Sequence, residues 1–366
     1  MMLTPKSTEL IAEPGRFEND RSKAIEHFET GLFSAFEHLR KSADSNVPLS
    51  LFYAFKQQEQ DIGVDGSAHV STGWETLLDA LIRAGFLVCG TWPVRTEQPG
   101  GLREAKRNAL ASSIVLVCRP RPEDARAATR REFLNALKAE LPGALRRLQQ
   151  GNIAPVDLAQ AAIGPGMAVF SRYSKVVESD GSPMRVRTAL QIINQELDAV
   201  LAEQEGEFDG DTRWAIAWFD QYGVNEGPYG VAETLSKAKN TSVEGMVEAG
   251  IVVARSGKVR LLSRDELPAN WDPGRDRRVT VWEVAQHLVH ALDKRGEGGA
   301  AALLAQLGGE GEIARDLAYR LYTTCERKGW AQEALAYNSL VVAWPEIRRL
   351  AVEAQRGGVV QGRMEM

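Results

Sequence analysis

Residues 49–121 decide the fold of the first part of the chain: LSLFYAFKQQEQ (49–60), STGWETLLDALIRAGFLVCGTWPVRTE (71–97) and NALASSIVLVCRPR (108–121). The first string predicts an apolar strand, which we place at 47–55. The second predicts an amphipathic helix over 74–84 that ends at Gly85, followed by a strand over 86–92. The third predicts another strand over 113–118.

The order of these segments is typical of an α/β protein. A strand, a helix and a strand fit one right-handed crossover unit, and the last strand fits an antiparallel edge strand. The predicted fold class is therefore α/β, with a partial Rossmann-like sheet that corresponds to the closing half of a doubly wound sheet. A mostly helical region with a winged-helix-like module follows it.

The composition is that of an ordinary globular protein. The 366 residues are 44% hydrophobic and 25% charged, with a formal net charge of −5. The sequence contains no apolar run long enough to span a bilayer and no apolar core of a signal peptide, so we expect no membrane association. Cys89, Cys118 and Cys325 lack metal-ligand spacing and a disulfide framework, so a reducing, cytoplasmic location is expected.

After Pro120 the pattern becomes mostly helical. A helix is predicted over 127–148, Gly164-Pro165-Gly166 is expected to break the chain before a short strand over 167–173, and Pro183 opens another helix that reaches about Glu205. Three helices and a hairpin around Ser256-Gly257 then predict the winged-helix-like module. The expected division is 1–120, the closing half of the α/β core; 121–207, helical with a short strand pair; 208–268, winged-helix-like; and 269–366, helical.

Positive charge is concentrated between the last two predicted strands. Arg95, Arg103, Lys106 and Arg107 lie in one segment, and more arginines follow from Arg119 onwards. Such a patch on a mildly acidic protein is compatible with contact to phosphate groups. A solvated surface balanced by nearby glutamates explains the same charges equally well.

Several strings resemble one known family. FYAFKQ, STGWETLL, TWPVRTE and NALASSIVLVCRPR, together with downstream strings such as GSPMRVRTAL and AKNTSVEGMV, resemble the adenine-specific DNA methylases that carry a DUF1156 domain, some of which are encoded near anti-phage systems. The resemblance implies DNA methylation at adenine N6 with S-adenosylmethionine as the cofactor, and DNA as a partner.

The motifs that carry this chemistry in the family do not occur in the sequence. There is no Asp-Pro-Pro-Tyr string and no Gly-x-Gly after an early strand; Gly164-Pro165-Gly166 precedes a predicted strand, and Asp272-Pro273-Gly274 is only a turn. We therefore expect the C-terminal part of a methyltransferase that is inactive without an N-terminal partner polypeptide. A non-catalytic DNA-binding or scaffold remnant is the alternative. A free-standing methyltransferase-like fold with another substrate is a third reading.

The candidate site residues follow from strand ends and from the resemblance, and no catalytic residue is identified. Lys56 and Gln57 follow the first predicted strand, where ligands bind in open α/β sheets. With Thr72 and Trp74 they are candidates for a cofactor or base pocket, although Thr72 and Glu75 also fit a structural capping box. The candidate DNA-binding residues are Trp92, Arg95, Thr96, Lys106, Arg107, Asn108, Ser112 and, on the predicted wing, Arg255, Lys258 and Arg260.

Two features argue against DNA binding by the winged-helix-like module and against a metal site. Glu244 and Glu248 lie on the predicted recognition helix and would repel phosphate, and winged helices also serve as protein-interaction modules. His287 and His290 have a spacing that could ligate a metal, but no third ligand accompanies them, so no metal site is predicted.

Overall fold

The computed structural model describes residues 9–54, 72–94 and 113–364. Within these ranges the contacts divide the chain into two compact units. The first comprises 9–54, 72–94, 113–147 and 159–198, and the second comprises 148–158 and 199–364. Each unit is described separately below.

The first unit contains a three-stranded antiparallel sheet. Its strands are β1 (Leu49–Ala54), β2 (Phe86–Val94) and β3 (Ser113–Pro120), in the spatial order β1-β3-β2. The helix α1 (Arg21–Ser42) begins after Asp20, whose side chain accepts hydrogen bonds from the first turn, and it packs on α2 (Thr72–Arg83). The connection β1-α2-β2 therefore skips one strand position, which β3 fills.

The expected Rossmann-like fold class is wrong. The described chain is mostly helical with small antiparallel sheets, and its only parallel strand pair consists of two residues on each side, β4 (Ala128–Thr129) and β5 (Val176–Val177). The predicted edge strand β3 is the central strand of its sheet. Strand β3 pairs with β1 on one edge and with β2 on the other, so its backbone hydrogen bonds are used on both sides, and its inner face is buried, with Ile114, Leu116 and Cys118 at most 1% exposed.

Three long helices follow this sheet in the sequence: α3 (Arg130–Gln150), α4 (Pro155–Ser171) and α5 (Val186–Glu203). The predicted chain break at Gly164-Pro165-Gly166 and the strand after it are wrong, because α4 continues through both. Pro165 has no N–H to donate to the carbonyl of Ala161 four residues earlier. The hydroxyl of Thr91 in β2 donates to that carbonyl instead, at 3.0 Å.

Two glycines allow α4 to come close to its neighbours in the first unit. A Cβ at Gly164 would lie 2.5 Å from the backbone nitrogen of Thr91, and one at Gly166 would lie 2.6 Å from the side chain of Ile193 in α5. The hydroxyl of Ser171 also accepts a hydrogen bond from the backbone N–H of Val88 at 2.9 Å. Helix α4 is thus held to β2 by neutral hydrogen bonds and by close backbone contact.

The second unit begins its regular structure with three helices and three strands in the order of a winged helix. The elements are α6 (Gly210–Tyr222), β6 (Gly227–Pro228), α7 (Tyr229–Lys239), α8 (Val243–Glu248), β7 (Val252–Arg255) and β8 (Lys258–Leu261). The strands form an antiparallel sheet in the order β6-β8-β7. The predicted hairpin is confirmed, with Arg255 opposite Lys258 and positive φ angles at Ser256 and Gly257.

The C-terminal part of the second unit is a bundle of three helices. They are α9 (Val281–Leu307), α10 (Gly309–Lys328) and α11 (Ala331–Met364), and all three pack on one another. Tyr319, Tyr337 and Trp344 are at most 1% exposed and fill the bundle core. None of the helices in the described ranges combines the length and the apolar character that a membrane crossing requires.

Candidate nucleic-acid interface

The outer face of the β1-β3-β2 sheet carries two exposed aromatic side chains in one cross-strand row. Phe52 in β1 is opposite Val115 in β3, and Val115 is opposite Trp92 in β2. Residues opposite each other in a sheet point to the same face. Phe52 is 72% exposed and Trp92 is 52% exposed, so both rings are presented to solvent on this face.

The rest of this outer face is free of negative charge. Neighbouring rows contain Ser50, Val117 and Gly90 on one side and Ala54, Ser113 and Val94 on the other. The three strands contain no Asp or Glu, and their single charged residue is Arg119, which shares the outer face. The Arg119 side chain donates to the backbone carbonyls of Ser45 and Asn46 at 3.2 and 3.1 Å.

The opposite face of the sheet is buried, which explains why the aromatic row points outwards. Leu116, Ile114 and Cys118 lie on that inner face, which also includes Thr91, the residue that contacts α4. Tyr53, beside Phe52, points inwards and its ring lies 5.2 Å from that of Trp74 in α2. Because successive residues of a strand alternate between faces, Phe52 and Tyr53 must face opposite ways.

The structure places the candidate site residues in different surroundings. Trp92 lies on the exposed outer face, and Trp74 is 1% exposed in the core. Thr72 is the first residue of α2. The sequence analysis did not identify Phe52. The alternation along LSLFYA nevertheless places its side chain on the other face of the strand from those of Leu51 and Tyr53. The remaining candidates of this region lie outside the described residues: Lys56, Gln57, Arg95, Thr96, Lys106, Arg107, Asn108 and Ser112.

The wing of the winged-helix module has most of its positive charge paired with carboxylates. Lys258 forms an ion pair with Glu226 at 2.9 Å. Arg260 donates two hydrogen bonds to Glu266, at 2.6 and 2.7 Å, and this pairing lowers the pKa of the Glu266 carboxyl to about 2. Of the three wing candidates, Arg255 alone has no carboxylate partner among the described residues, and it is exposed at the hairpin turn.

The helix in the recognition position, α8, is short and acidic. Glu244 accepts a hydrogen bond from the hydroxyl of Tyr229 at 2.6 Å, and Glu248 ends the helix. Behind α8, the Arg278 guanidinium lies so close to Gly245 that an added Cβ would be 2.5 Å from its Nη1. Arg278 is in turn bound by Asp211 at 2.8 and 3.0 Å. The cation nearest to α8 is thus neutralised inside the module.

A buried titratable cluster lies at the start of α9. Glu283 and His287 are 3% and 7% exposed, and Oε2 of the first and Nε2 of the second have no partner among the described residues. Burial, with a contribution from Asp276, raises the pKa of Glu283 to about 8. Burial and the neighbouring His290 lower the pKa of His287 to about 4. Both side chains are therefore uncharged near neutral pH.

The His287 side chain is packed against an aromatic residue. Its ring is stacked on Trp271 with a centroid distance of 4.2 Å, and the Trp271 Nε1 donates to Asp276. Across the described ranges, no three potential ligand side chains are grouped closely enough to hold a metal ion.

From α6 onwards, the second unit has the element order of a winged-helix module, and a three-helix bundle follows it in the sequence. Residues 209–364, which include both, match the family model of a domain of unknown function, DUF8807. The expectation of a DUF1156-containing methylase is wrong, because the family model that matches is a different one. No curated protein and no solved structure matches the chain.

Proposed function

We propose that the chain binds single-stranded nucleic acid on the outer face of the β1-β3-β2 sheet. The observation that carries this proposal is the exposed row of Phe52, Val115 and Trp92. Exposed aromatic rings on a sheet stack on nucleotide bases, and each stacked base contributes roughly 1–3 kcal/mol to binding.

The geometry of the row favours a single strand over a duplex. Phe52 and Trp92 lie on strands that are separated by β3, so their rings are about 10 Å apart, two strand spacings. Neighbouring bases of a duplex are stacked roughly 3.4 Å apart with their faces covered. Bases that reach both rings must therefore be unstacked, which is the state of a flexible single strand.

The charge around the row complements a phosphate backbone. The face has no carboxylate on its three strands, and it carries Arg119. The chain leaves the sheet after Val94 and returns at Ser113, and the sequence between them contains Arg95, Arg103, Lys106 and Arg107 against Glu97 and Glu104. Arg119 shares the outer face with both rings, and a cation beside stacking aromatics is the usual combination in proteins that bind single strands.

The winged-helix module supports a weaker case for nucleic-acid binding. Its recognition-position helix carries Glu244 and Glu248, and Lys258 and Arg260 are paired with carboxylates. The methyltransferase hypothesis was based on the family resemblance and on a parallel sheet, and both of these expectations are wrong. The hypothesis itself stays a prediction from the sequence. The sheet face is the surface whose chemistry fits a nucleic acid best.

The proposal is tested by fluorescence anisotropy with labelled oligo(dT) of about 20 nucleotides, which exceeds the usual site size of one binding module. We expect Trp92→Ala and Phe52→Ala each to weaken binding by about 5- to 150-fold, the range that follows from the loss of one stacked base. A duplex of the same length should bind more weakly than the single strand.

The matched control is the wing variant Arg255→Ala/Lys258→Ala, which changes two cations in the other sheet. This variant should keep the affinity of the wild type within about twofold. An equal loss of oligo(dT) affinity in the wing variant and in Trp92→Ala would contradict the assignment of the site to the sheet face. Unchanged affinity in both aromatic variants would refute the proposal.

A further inference from the structure

A second site in the first unit lies on the helical side of the sheet. A cavity of about 340 Å³ opens between α1, α2, the end of α4 and the segment that leads into α5. Its apolar walls include Phe33, Phe170 and Tyr173. The volume lies in the range of pockets that hold small organic ligands.

The cavity has an excess of positive charge. Its charged lining consists of Asp79, Arg83, Arg121 and Lys175. Asp79 and Arg83 form an ion pair at 3.3 Å and neutralise each other. Neither Arg121 nor Lys175 has a carboxylate partner among the described residues, so two positive charges remain for a ligand to balance.

Arg121 is held in place without a counterion. Its Nη1 donates to the carbonyl of Ser171 at 3.4 Å, and Arg40 donates to the carbonyl of Arg121 at 3.3 Å and to that of Gly85 at 3.3 Å. Both arginines are half-buried. Burial and the neighbouring Arg40 lower the pKa of Arg121, which shows that its charge is stabilised less than in water.

Other arginines of the same unit differ in this respect. Arg126, Arg130 and Arg172 form ion pairs with Glu132, Glu178 and Glu140 at 2.9, 3.0 and 2.5 Å. Arg121 has no such partner among the described residues, and in this it resembles Arg119, whose side chain also donates to backbone carbonyls. A half-buried cation without a counterion gains the most from an anionic ligand.

We infer that this cavity binds a phosphate monoester that carries a planar aromatic ring, of which a nucleoside monophosphate is one example. The two positive charges of Arg121 and Lys175 match the charge of about −1.5 to −2 that a phosphate monoester carries at neutral pH. The aromatic walls match a planar ring. None of the lining residues belongs to the outer face of the sheet, so the site is separate from the proposed nucleic-acid interface.

Calorimetric titration of the full chain with AMP tests this inference, with inorganic phosphate and adenosine as separate titrants. We expect AMP to bind at least about tenfold more tightly than either part, because it satisfies both the cations and the aromatic walls. Saturation by AMP should also raise Tm. An affinity for inorganic phosphate equal to that for AMP would overturn the assignment, and so would an absence of AMP binding at millimolar concentration.

Two variants locate the site. Arg121→Met and Lys175→Met should each weaken AMP binding about tenfold or more, whereas Arg131→Met, which removes an exposed arginine outside the cavity, should change it less than about twofold. Since Arg121 also contacts helix carbonyls, Lys175→Met is the variant that decides if Arg121→Met fails to fold. Unchanged AMP affinity in Lys175→Met would refute the assignment. Trp92→Ala should leave AMP binding intact, which separates this site from the sheet face.

Discussion

The two three-stranded sheets of this protein are anchored by different chemistry. In the first unit, the β1-β3-β2 sheet is fixed to α4 by the hydroxyls of Thr91 and Ser171 and by the close approach of Gly164. In the second unit, the winged-helix module is fixed by charged side chains. Asp211 binds Arg278 there, and Arg264 binds Glu333 at 2.6 Å.

The surfaces of the two sheets differ as well. In the winged-helix module, Lys258 and Arg260 are paired with Glu226 and Glu266. The strands of the first sheet contain no acidic residue, and its outer face carries both aromatic rings and Arg119. Charge pairing is thus a feature of the second sheet, and exposed aromatic rings are a feature of the first.

The largest expected effect concerns the neutral anchor. Gly164→Ala should destabilise the protein by about 3 kcal/mol, because its Cβ would meet the backbone of β2, which cannot move as a side chain can. Urea unfolding measures the change. Gly143→Ala in α3, where an added Cβ meets only the end of the Arg147 side chain at 3.7 Å, should be neutral or slightly stabilising. A Gly164→Ala variant as stable as Gly143→Ala would show that α4 does not approach β2 this closely.

The next effect concerns the charged anchor. Asp211→Ala should cost about 2–3 kcal/mol, because it leaves Arg278 and the hydroxyl of Thr241 without their common acceptor. The stability difference from the wild type should narrow between 0.1 and 1 M salt, since the Debye length falls from about 10 to about 3 Å.

The matched variant for this comparison is Thr91→Val. Removal of its hydroxyl leaves the Ala161 carbonyl without a donor and should cost about 1–2 kcal/mol, with no dependence on salt. If both variants responded to salt in the same way, the contrast between neutral and charged anchors would be refuted.

The last prediction concerns a pH dependence in the second unit. The pKa of Glu283 is raised to about 8 in the folded protein, so its contribution to stability is fully present below the ordinary Glu pKa of about 4.3 and is lost as the pH rises through 8. Glu283→Gln should abolish this loss. The variant should gain stability relative to the wild type between pH 6 and about 8.5 in urea unfolding.

His287 provides the internal control for this prediction. Its pKa is lowered to about 4, so its contribution is present above the ordinary His pKa of about 6.5 and is lost as the pH falls through 4. Glu283→Gln should retain this acidic decline. A variant that still lost stability towards pH 8.5 as the wild type does would contradict the assignment to Glu283.

Local patterns predicted the elements of this fold better than their arrangement. The Ser256-Gly257 hairpin is confirmed because its turn chemistry lies within a few residues of the strands that it joins. The position of β3 between β1 and β2 depends on contacts with β1, about 60 to 70 residues earlier in the sequence. No short-range pattern encodes that order, so the strand-helix-strand sequence was assigned to the commoner parallel arrangement.

The candidate site shows the same limit. Trp92 was a candidate because the string TWPVRTE resembled a methylase family, and alternation along LSLFYA was sufficient to identify Phe52 as a residue of the outer face. That the two side chains share one row could not be predicted, because the row depends on the shared partner Val115. The continuity of α4 through Pro165 was equally hidden, since the compensating donor is Thr91.

The hydrogen bond from Thr91 to the Ala161 carbonyl also has a consequence for the order of folding. The middle turn of α4 cannot complete its hydrogen bonds from within its own sequence, because Pro165 has no N–H to donate. This turn reaches its native state only when β2 has docked, 70 residues away along the chain. Helix α4 should therefore mature late, after closure of a long loop, although helices with only local contacts form early.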